Sequence, residues 1–271
     1  MQPLNPDMQK NILRALAIKR GMSYAQLRFE WQEISITGEE HAYILEVKQR
    51  LERHEPLSKI IGIREFYGLD FMINEHVLDP RPDSEILIDA VLNTFSDRQY
   101  PYYFLDLGTG SGCLIITLLK HYPKAKACAV DICEQALKVA NHNARLHQVN
   151  TRIHFFQGSW FDPIKHNPYT PGFDGIVTNP PYIAQDYPLS DTVRLYDPEK
   201  ALFSGTDGLD DYRHIIPQVS GYLKPEGVFF GEIGFDQKRA IELLVQDHPP
   251  LIFNTCLKDD AGHDRVVVLT F

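Results

Sequence analysis

Three short stretches hold the side chains best suited to chemistry. The first is Phe104-Leu105-Asp106-Leu107-Gly108-Thr109-Gly110-Ser111-Gly112, where an apolar run enters three glycines at alternate positions and a second apolar run follows. Without Cβ atoms such a turn lets a ligand lie against backbone N–H groups at a helix start. Its spacing is not the G-x-G-x-x-G dinucleotide fingerprint, and it lacks the Lys-Ser/Thr pair of a P-loop. The second is Asp131, which ends the next apolar run (Ala127–Val130) about 20 residues further on, where a carboxylate can accept both hydroxyls of a ribose. It can equally serve as a helix N-cap, and both roles can hold at once. The third is Asn179-Pro180-Pro181-Tyr182, directly after the apolar run Phe173–Thr178. Two prolines fix φ twice and remove two donors, leaving a rigid turn with free carbonyls. An amide (Asn179), a bare carbonyl (Pro180) and an aromatic face (Tyr182) then suit a planar substrate nitrogen that carries hydrogens. Taken alone, Asn-Pro-Pro could be an ordinary loop.

The elements that must position these stretches alternate. From Tyr102 onward, strands are expected at Tyr102–Leu107, Lys126–Val130, Arg152–Phe156, Phe173–Thr178, Gly227–Glu232, Leu251–Leu257 and Arg265–Phe271. Helices are expected at Gly112–His121, Glu134–His147, Leu209–Tyr222 and Gln237–Gln246. That order predicts an α/β fold with a doubly wound parallel sheet, whose carboxyl edge is where ligands bind. The short loop between the last two strands makes that pair antiparallel. Ahead of the sheet, Met8–Arg20, Ser23–Trp31 and a segment from Thr37 to about Arg53 read as helices, with Thr37 and Glu40 forming a capping-box signature. Residues 1–56 are expected to be a helical domain, 57–80 a linker with a β-hairpin around Phe66–Phe71, and 81–271 the sheet domain, opened by a helix from about Asp83 to Phe95.

Composition narrows the function classes. The chain has 271 residues, 44% hydrophobic and 23% charged, which is ordinary for a globular protein. Its longest strongly apolar stretch, Cys113–Leu119, is far short of the roughly 20 residues that span a bilayer. Met1–Gln9 has no signal-peptide core, so a cytoplasmic protein with no membrane partner is expected. Cys113, Cys128, Cys133 and Cys256 lack zinc-site spacing, and the eleven histidines show no ligand pattern, so no metal is expected. Residues 1–56 balance eight basic against eight acidic side chains, so the whole net charge of −9 sits on residues 57–271. Such a balance argues against long-range attraction to nucleic acid, and no direct nucleic-acid partner is expected.

The glycine turn together with Asn-Pro-Pro-Tyr resembles the adenosylmethionine-dependent amino-methyltransferases. Within them the chain closely resembles the release factor glutamine methyltransferases of the HemK/PrmC type. The likeness spans nearly the whole length. It is carried by Glu65-Phe66-Tyr67-Gly68-Leu69, Pro80-Arg81-Pro82-Asp83-Ser84-Glu85, Ser159-Trp160-Phe161, Tyr196-Asp197-Pro198, Glu232-Ile233-Gly234 and Ala261-Gly262-His263-Asp264-Arg265-Val266, besides the two motifs above.

That resemblance implies a seven-stranded, Rossmann-like methyltransferase sheet behind a small N-terminal helical bundle that docks a protein substrate. It also implies an S-adenosyl-L-methionine-dependent enzyme that methylates the side-chain nitrogen of the glutamine in the Gly-Gly-Gln loop of peptide chain release factors. Gly108, Thr109, Gly110, Ser111 and Gly112 would hold the methionine end of the cofactor, Asp131 its ribose, and Trp160 would line the adenine pocket. Asn179 would sit beside both cofactor and substrate, and Asn179, Pro180, Pro181 and Tyr182 would receive the glutamine, with Asn179, Pro180 and Tyr182 catalytic. A monomer is expected. Two departures stand out: Ser159 occupies a position where relatives commonly carry an aspartate, and Ser58-Lys59 replaces a frequent Gln-Tyr. Asp106, Arg81 and Glu232 fall outside the expected site; Asp106 braces the glycine turn, and the other two read as loop and strand-end salt-bridge partners. The nearest rival, an N6-adenine nucleic-acid methyltransferase, would use the same turn for an exocyclic amine but lacks a basic target-recognition segment here. A non-catalytic partner-binding protein on the same fold is the third reading.

Overall fold

The computed structural model describes residues 6–31, 33–165 and 172–271; of Met1–Gln9, residues 1–5 lie outside them. Chain packing divides the protein into Met1–Ile63 with Leu189–Tyr196, and Arg64–Pro188 with Asp197–Phe271. The first division falls inside the stretch read from sequence as a linker.

The smaller unit is helical: α1 (Pro6–Lys19), α2 (Tyr24–Glu30), α3 (Gly38–Glu52) and the short α4 (Leu57–Ile61). Two of these starts are written in the sequence. Ser23 accepts from the Gln26 N–H while Gln26 accepts from the Ser23 N–H, and Thr37 and Glu40 make the same reciprocal pair, so the capping box read at Thr37 is present. Arg20 clamps Glu40 at 2.6 Å, and the guanidinium and the Thr37 backbone hold the Glu40 carboxyl down at about 2. Ile12, Ala15, Val47 and Ile60 form one apolar cluster, and Leu16, Ala17 and Leu27 another.

In the larger unit, β1 (Ile63–Phe66) and β2 (Leu69–Met72) form the expected hairpin, turned by Tyr67 and Gly68, both with positive φ. A 3₁₀ turn at Pro82–Ser84 leads into α5 (Glu85–Thr94). Then follow β3 (Tyr103–Leu107), α6 (Cys113–His121), β4 (Lys126–Asp131), α7 (Glu134–Leu146), β5 (Ile153–Gln157) and β6 (Phe173–Thr178). The short α8 (Asp191–Tyr196) belongs to the smaller unit, where the Tyr196 hydroxyl donates to the Arg53 carbonyl at 2.9 Å. The chain closes with α9 (Asp210–Val219), β7 (Leu223–Glu232), α10 (Lys238–Gln246), β8 (Ile252–Lys258) and β9 (Asp264–Thr270).

The seven-stranded sheet has the order β5-β4-β3-β6-β7-β9-β8. The first five strands are parallel, and β9 runs antiparallel between β7 and β8, as the short final loop requires. β7 begins four residues earlier than expected because Leu223 pairs with Phe173 across an irregularity in β6. Buried apolar side chains cover both faces, with Leu87, Ile115, Leu118 and Phe104 on one and Tyr212, Ile216, Phe229 and Ile241 on the other. This is the two-sided burial a parallel sheet demands.

Chain order reverses at β3: β4 and β5 lie to one side, β6 and β7 to the other. A crevice opens outside the carboxyl ends of strands at such a switch point. Leu107 is in register with both Val130 and Thr178, and Thr178 with Gly231. Gly108, Asp131, Asn179 and Glu232 therefore leave four adjacent strands at one edge.

Candidate active site

At that edge a cavity of about 680 Å³ is lined by Gly108, Thr109, Gly110, Ser111, Asp131, Trp160, Asn179 and Pro181 among the expected site residues. Gly112, Pro180 and Tyr182 are not part of its wall.

The glycine turn is built by its own backbone. The Gly108 and Thr109 N–H groups both donate to the Val130 carbonyl at 2.9 Å, and Gly112 donates to Thr109 at 2.8 Å. Gly110 and Gly112 adopt φ of +55° and +81°, which L side chains rarely take. A Cβ on Gly110 would meet nothing within 4 Å, so this part of the turn offers bare backbone to open space. A Cβ on Gly112 would stand 2.9 Å from Ile116 Cδ1 and 3.2 Å from Ala140, so the third glycine serves the packing of α6 on α7.

Asp106 lies beneath the turn and accepts from the Thr109 hydroxyl at 2.6 Å, the bracing role read from the sequence. Its other oxygen is buried, with the Ile115 backbone N–H the nearby group that favours its charge. Burial pushes its carboxyl up to about 7, against the Thr109 hydroxyl and reinforced by the Asp131 charge.

Asp131 accepts from the Gly110 N–H and from the Cys133 N–H, each at 2.8 Å. The N-cap of α7 is Cys133, so Asp131 acts two residues ahead of the helix rather than as its cap. Burial raises the Asp131 carboxyl and the two N–H groups oppose that. A carboxylate has about four acceptor positions, so two hydrogen bonds leave capacity for two hydroxyls. Trp160, at φ +45°, brings its ring within 3.4 Å of where a Gly108 Cβ would stand, and its indole hydrogen-bonds the Asp211 carboxylate.

On β6, the Thr178 hydroxyl donates across to the Leu107 carbonyl at 2.8 Å, pinning the start of the Asn-Pro-Pro-Tyr turn to the strand that carries the glycines. Asn179 Nδ2 donates to Ser84 Oγ at 3.1 Å, which commits the nitrogen end of the amide and leaves Oδ1 as an acceptor. The Pro180 carbonyl accepts no backbone hydrogen bond from the described residues. The Tyr182 hydroxyl donates to Glu232 Oε1 at 3.2 Å, and the Tyr182 carbonyl accepts from Gln237 Nε2 at 2.9 Å. Burial and the Glu232 charge push the Tyr182 phenol far up, so it stays a neutral donor.

Several contributors escaped the sequence reading. Ser84 and Gln237 fix the turn from 95 and 55 residues away, and no local spacing signals such pairs. Ile132, 57% exposed beside Asp131, lines the cavity with an apolar face, and its signal was an apolar residue just past a strand end. Arg81 is a salt-bridge partner as read, at 2.6 Å from Asp197, yet it also lines the cavity. Glu232 makes no ion pair among the described residues, contrary to the expectation, and takes the Tyr182 hydroxyl instead.

Residues 81–194 match the methyltransferase small domain family. The release factor glutamine methyltransferase of Caulobacter vibrioides is 37% identical over 235 residues, covering 86% of this chain and 79% of that protein. The chain belongs to the release factor glutamine methyltransferase family. Within reach of that family, a bifunctional methyltransferase of Rickettsia conorii is 33% identical over 291 residues, and this chain, 98% covered, spans about half of it (54%). In fold, the ribosomal protein L11 methylase of Lactobacillus delbrueckii subsp. bulgaricus superposes with a TM-score of 0.51 at 21% identity, over 76% of this chain and 88% of that one. The seven-stranded sheet and the helical N-terminal segment that the resemblance implied are both present in this chain.

Proposed function

We infer that this methyltransferase transfers a methyl group from S-adenosyl-L-methionine to the side-chain amide nitrogen of the Gly-Gly-Gln glutamine of peptide chain release factors. The observation that carries this reading is the Asn179 amide. Its nitrogen end is committed to Ser84, its oxygen is left as an acceptor, and it lines the same cavity as the glycine turn.

The residues present fit the cofactor. Gly110 exposes bare backbone where a Cβ would meet only open space, Asp131 keeps acceptor capacity for a ribose, and Ile132 and Trp160 supply apolar surface for a flat ring. When bound, S-adenosyl-L-methionine supplies an electrophilic methyl on a sulfonium.

A carboxamide nitrogen is a weak nucleophile because its lone pair is delocalised into the carbonyl. The task of the chain is therefore alignment, which supplies roughly 7–11 kcal/mol in well-oriented cases. Asn179 Oδ1 and the Pro180 carbonyl accept the two amide hydrogens and turn the lone pair toward the methyl. As positive charge grows on the nitrogen, both acceptors bind it more strongly than they bind the ground state. No strong base is needed, since the methylated nitrogen sheds its proton readily. Pro181 and Tyr182 keep the turn rigid, with the Tyr182 hydroxyl tied to Glu232 and its carbonyl to Gln237.

The helical segment 1–56 is assigned to docking the protein substrate. Phe29, 92% exposed, and the half-exposed Trp31 offer apolar surface of the kind that anchors protein interfaces. Labelled methyl should pass from the cofactor into an intact release factor, and a factor with alanine in place of that glutamine should take up none. Equal labelling of both would refute the assignment.

A further inference from the structure

Glu232 ends β7 beside Asn179 and is 1% exposed, a carboxyl that the reaction as described does not use. One oxygen accepts from the Tyr182 hydroxyl at 3.2 Å. The other, Oε2, is fully buried with no hydrogen bond made to it. A buried carboxylate oxygen without a partner is costly and calls for a donor close by. The hydroxyl available to it is that of Ser84. It is 3% exposed, its oxygen already accepts from Asn179 Nδ2, and its own proton has no other acceptor among the described residues. Burial raises the Glu232 carboxyl, and the Ser84 hydroxyl, the Arg265 charge and the Tyr182 hydroxyl oppose that by favouring the ionised form.

We propose that Glu232 is a positioning residue for methyl transfer: its buried carboxylate gathers the Tyr182 hydroxyl directly and the Asn179 amide through Ser84, holding both ends of the Asn179–Tyr182 turn. The proposal deepens the reading above and rests on it for its catalytic consequence. A chain of hydrogen bonds ending on a carboxylate polarises each of its members. Asn179 Nδ2–H donates into the Ser84 hydroxyl, whose proton points to Glu232, so electron density shifts toward Asn179 Oδ1. That oxygen faces the growing positive charge on the substrate nitrogen. Glu232 thus strengthens the acceptor in the transition state without touching the substrate. The arrangement also gives a physical reason for two stretches that carry the family likeness, Pro80–Glu85 and Glu232–Gly234: each supplies one link of the chain.

The test uses the full-length protein with Glu232→Gln, Ser84→Ala and Ser84→Thr. Loss of a hydrogen bond to a charged group predicts a fall in kcat of about tenfold to a hundredfold for the first two. The calorimetric Kd for S-adenosyl-L-methionine should stay within about twofold, which also reports that each variant is folded. Ser84→Thr keeps the hydroxyl and should restore most of the rate. The double variant Glu232→Gln with Ser84→Ala should be no slower than the worse single variant, since both break one chain. A second readout needs no turnover. The Asn179 carboxamide protons, assigned in ¹⁵N-labelled protein by their disappearance in Asn179→Asp, should shift and exchange faster with solvent in Glu232→Gln. Wild-type kcat in Glu232→Gln, or unmoved Asn179 carboxamide signals, overturns the proposal. If wild-type protein leaves the release factor glutamine unmethylated while those signals still move, the substrate reading fails and the Glu232 link stands.

Discussion

Asn179 has one amide group with two ends, and the chain gives each a separate duty. Ser84 takes the nitrogen end at 3.1 Å, so the oxygen end remains for substrate. Asn179→Ala should lower kcat by roughly 10²–10³, the cost of one preorganised polar group in a site of this kind. Steady-state kinetics with saturating cofactor checks this, and turnover within about threefold of wild type would end the role assigned to Asn179. Asp131 makes a separable prediction, because its proposed partner is the cofactor ribose and not the amide. Asp131→Ala should weaken S-adenosyl-L-methionine binding by about tenfold or more, the worth of charge-assisted hydrogen bonds, when measured by calorimetry. An unchanged Kd would remove Asp131 from the ribose. At this scale the sequence showed which residues bear reactive groups, since Asn-Pro-Pro-Tyr and the strand-end aspartate are local patterns. It did not show what holds them. The Ser84–Asn179 and Glu232–Tyr182 contacts join residues 95 and 50 positions apart, and only the closed sheet brings them together.

The glycine turn and the helix caps show how elements transmit order to the site. Gly112 combines a φ of +81° with a close approach to Ile116 and Ala140, so Gly112→Ala should destabilise the protein by about 1–3 kcal/mol. Urea unfolding would check this, and a stability equal to wild type would mean that the α6–α7 contact yields more easily than its geometry suggests. In the helical unit, Thr37→Ala removes one half of the α3 capping box and should cost about 1 kcal/mol. The elements legible in the sequence were those with a period, an apolar run or a capping or turn signal: α1 to α3, the hairpin, α5 to α7, α9, α10 and the strands of the large sheet. The five-residue α4 and six-residue α8 span little more than one helical turn, too short for periodicity to reveal them. The N-cap of α7 was likewise invisible, because Cys133 is an unusual cap and Asp131 two residues earlier is a typical one.

The molecule as a whole carries its net charge of −9 with an acidic side chain, Asp106, buried at its centre. Burial raises that carboxyl to about 7. A raised acid contributes stability that is complete below its unfolded value, near pH 4, and lost as pH rises through about 7. Asp106→Asn should therefore gain stability relative to wild type as pH goes from about 5 to about 8. Denaturant titrations at the two pH values would measure this, and a constant difference would show that Asp106 does not titrate in that window. The doubly wound sheet and its antiparallel final pair were readable from the alternation of apolar runs, and the switch point at β3 follows from that order. The boundary at Ile63–Arg64 falls inside the stretch read as a linker, whereas the return of Leu189–Tyr196 to the smaller unit has no local signal in the sequence. The central claim concerns chemistry at one atom. The most direct measurement incubates the protein with S-adenosyl-L-methionine and an intact release factor, then locates the product by peptide fragmentation in a mass spectrometer. A single added methyl on the side-chain nitrogen of the Gly-Gly-Gln glutamine is the predicted result. No methyl on that residue, with cofactor binding confirmed in the same preparation, would contradict it.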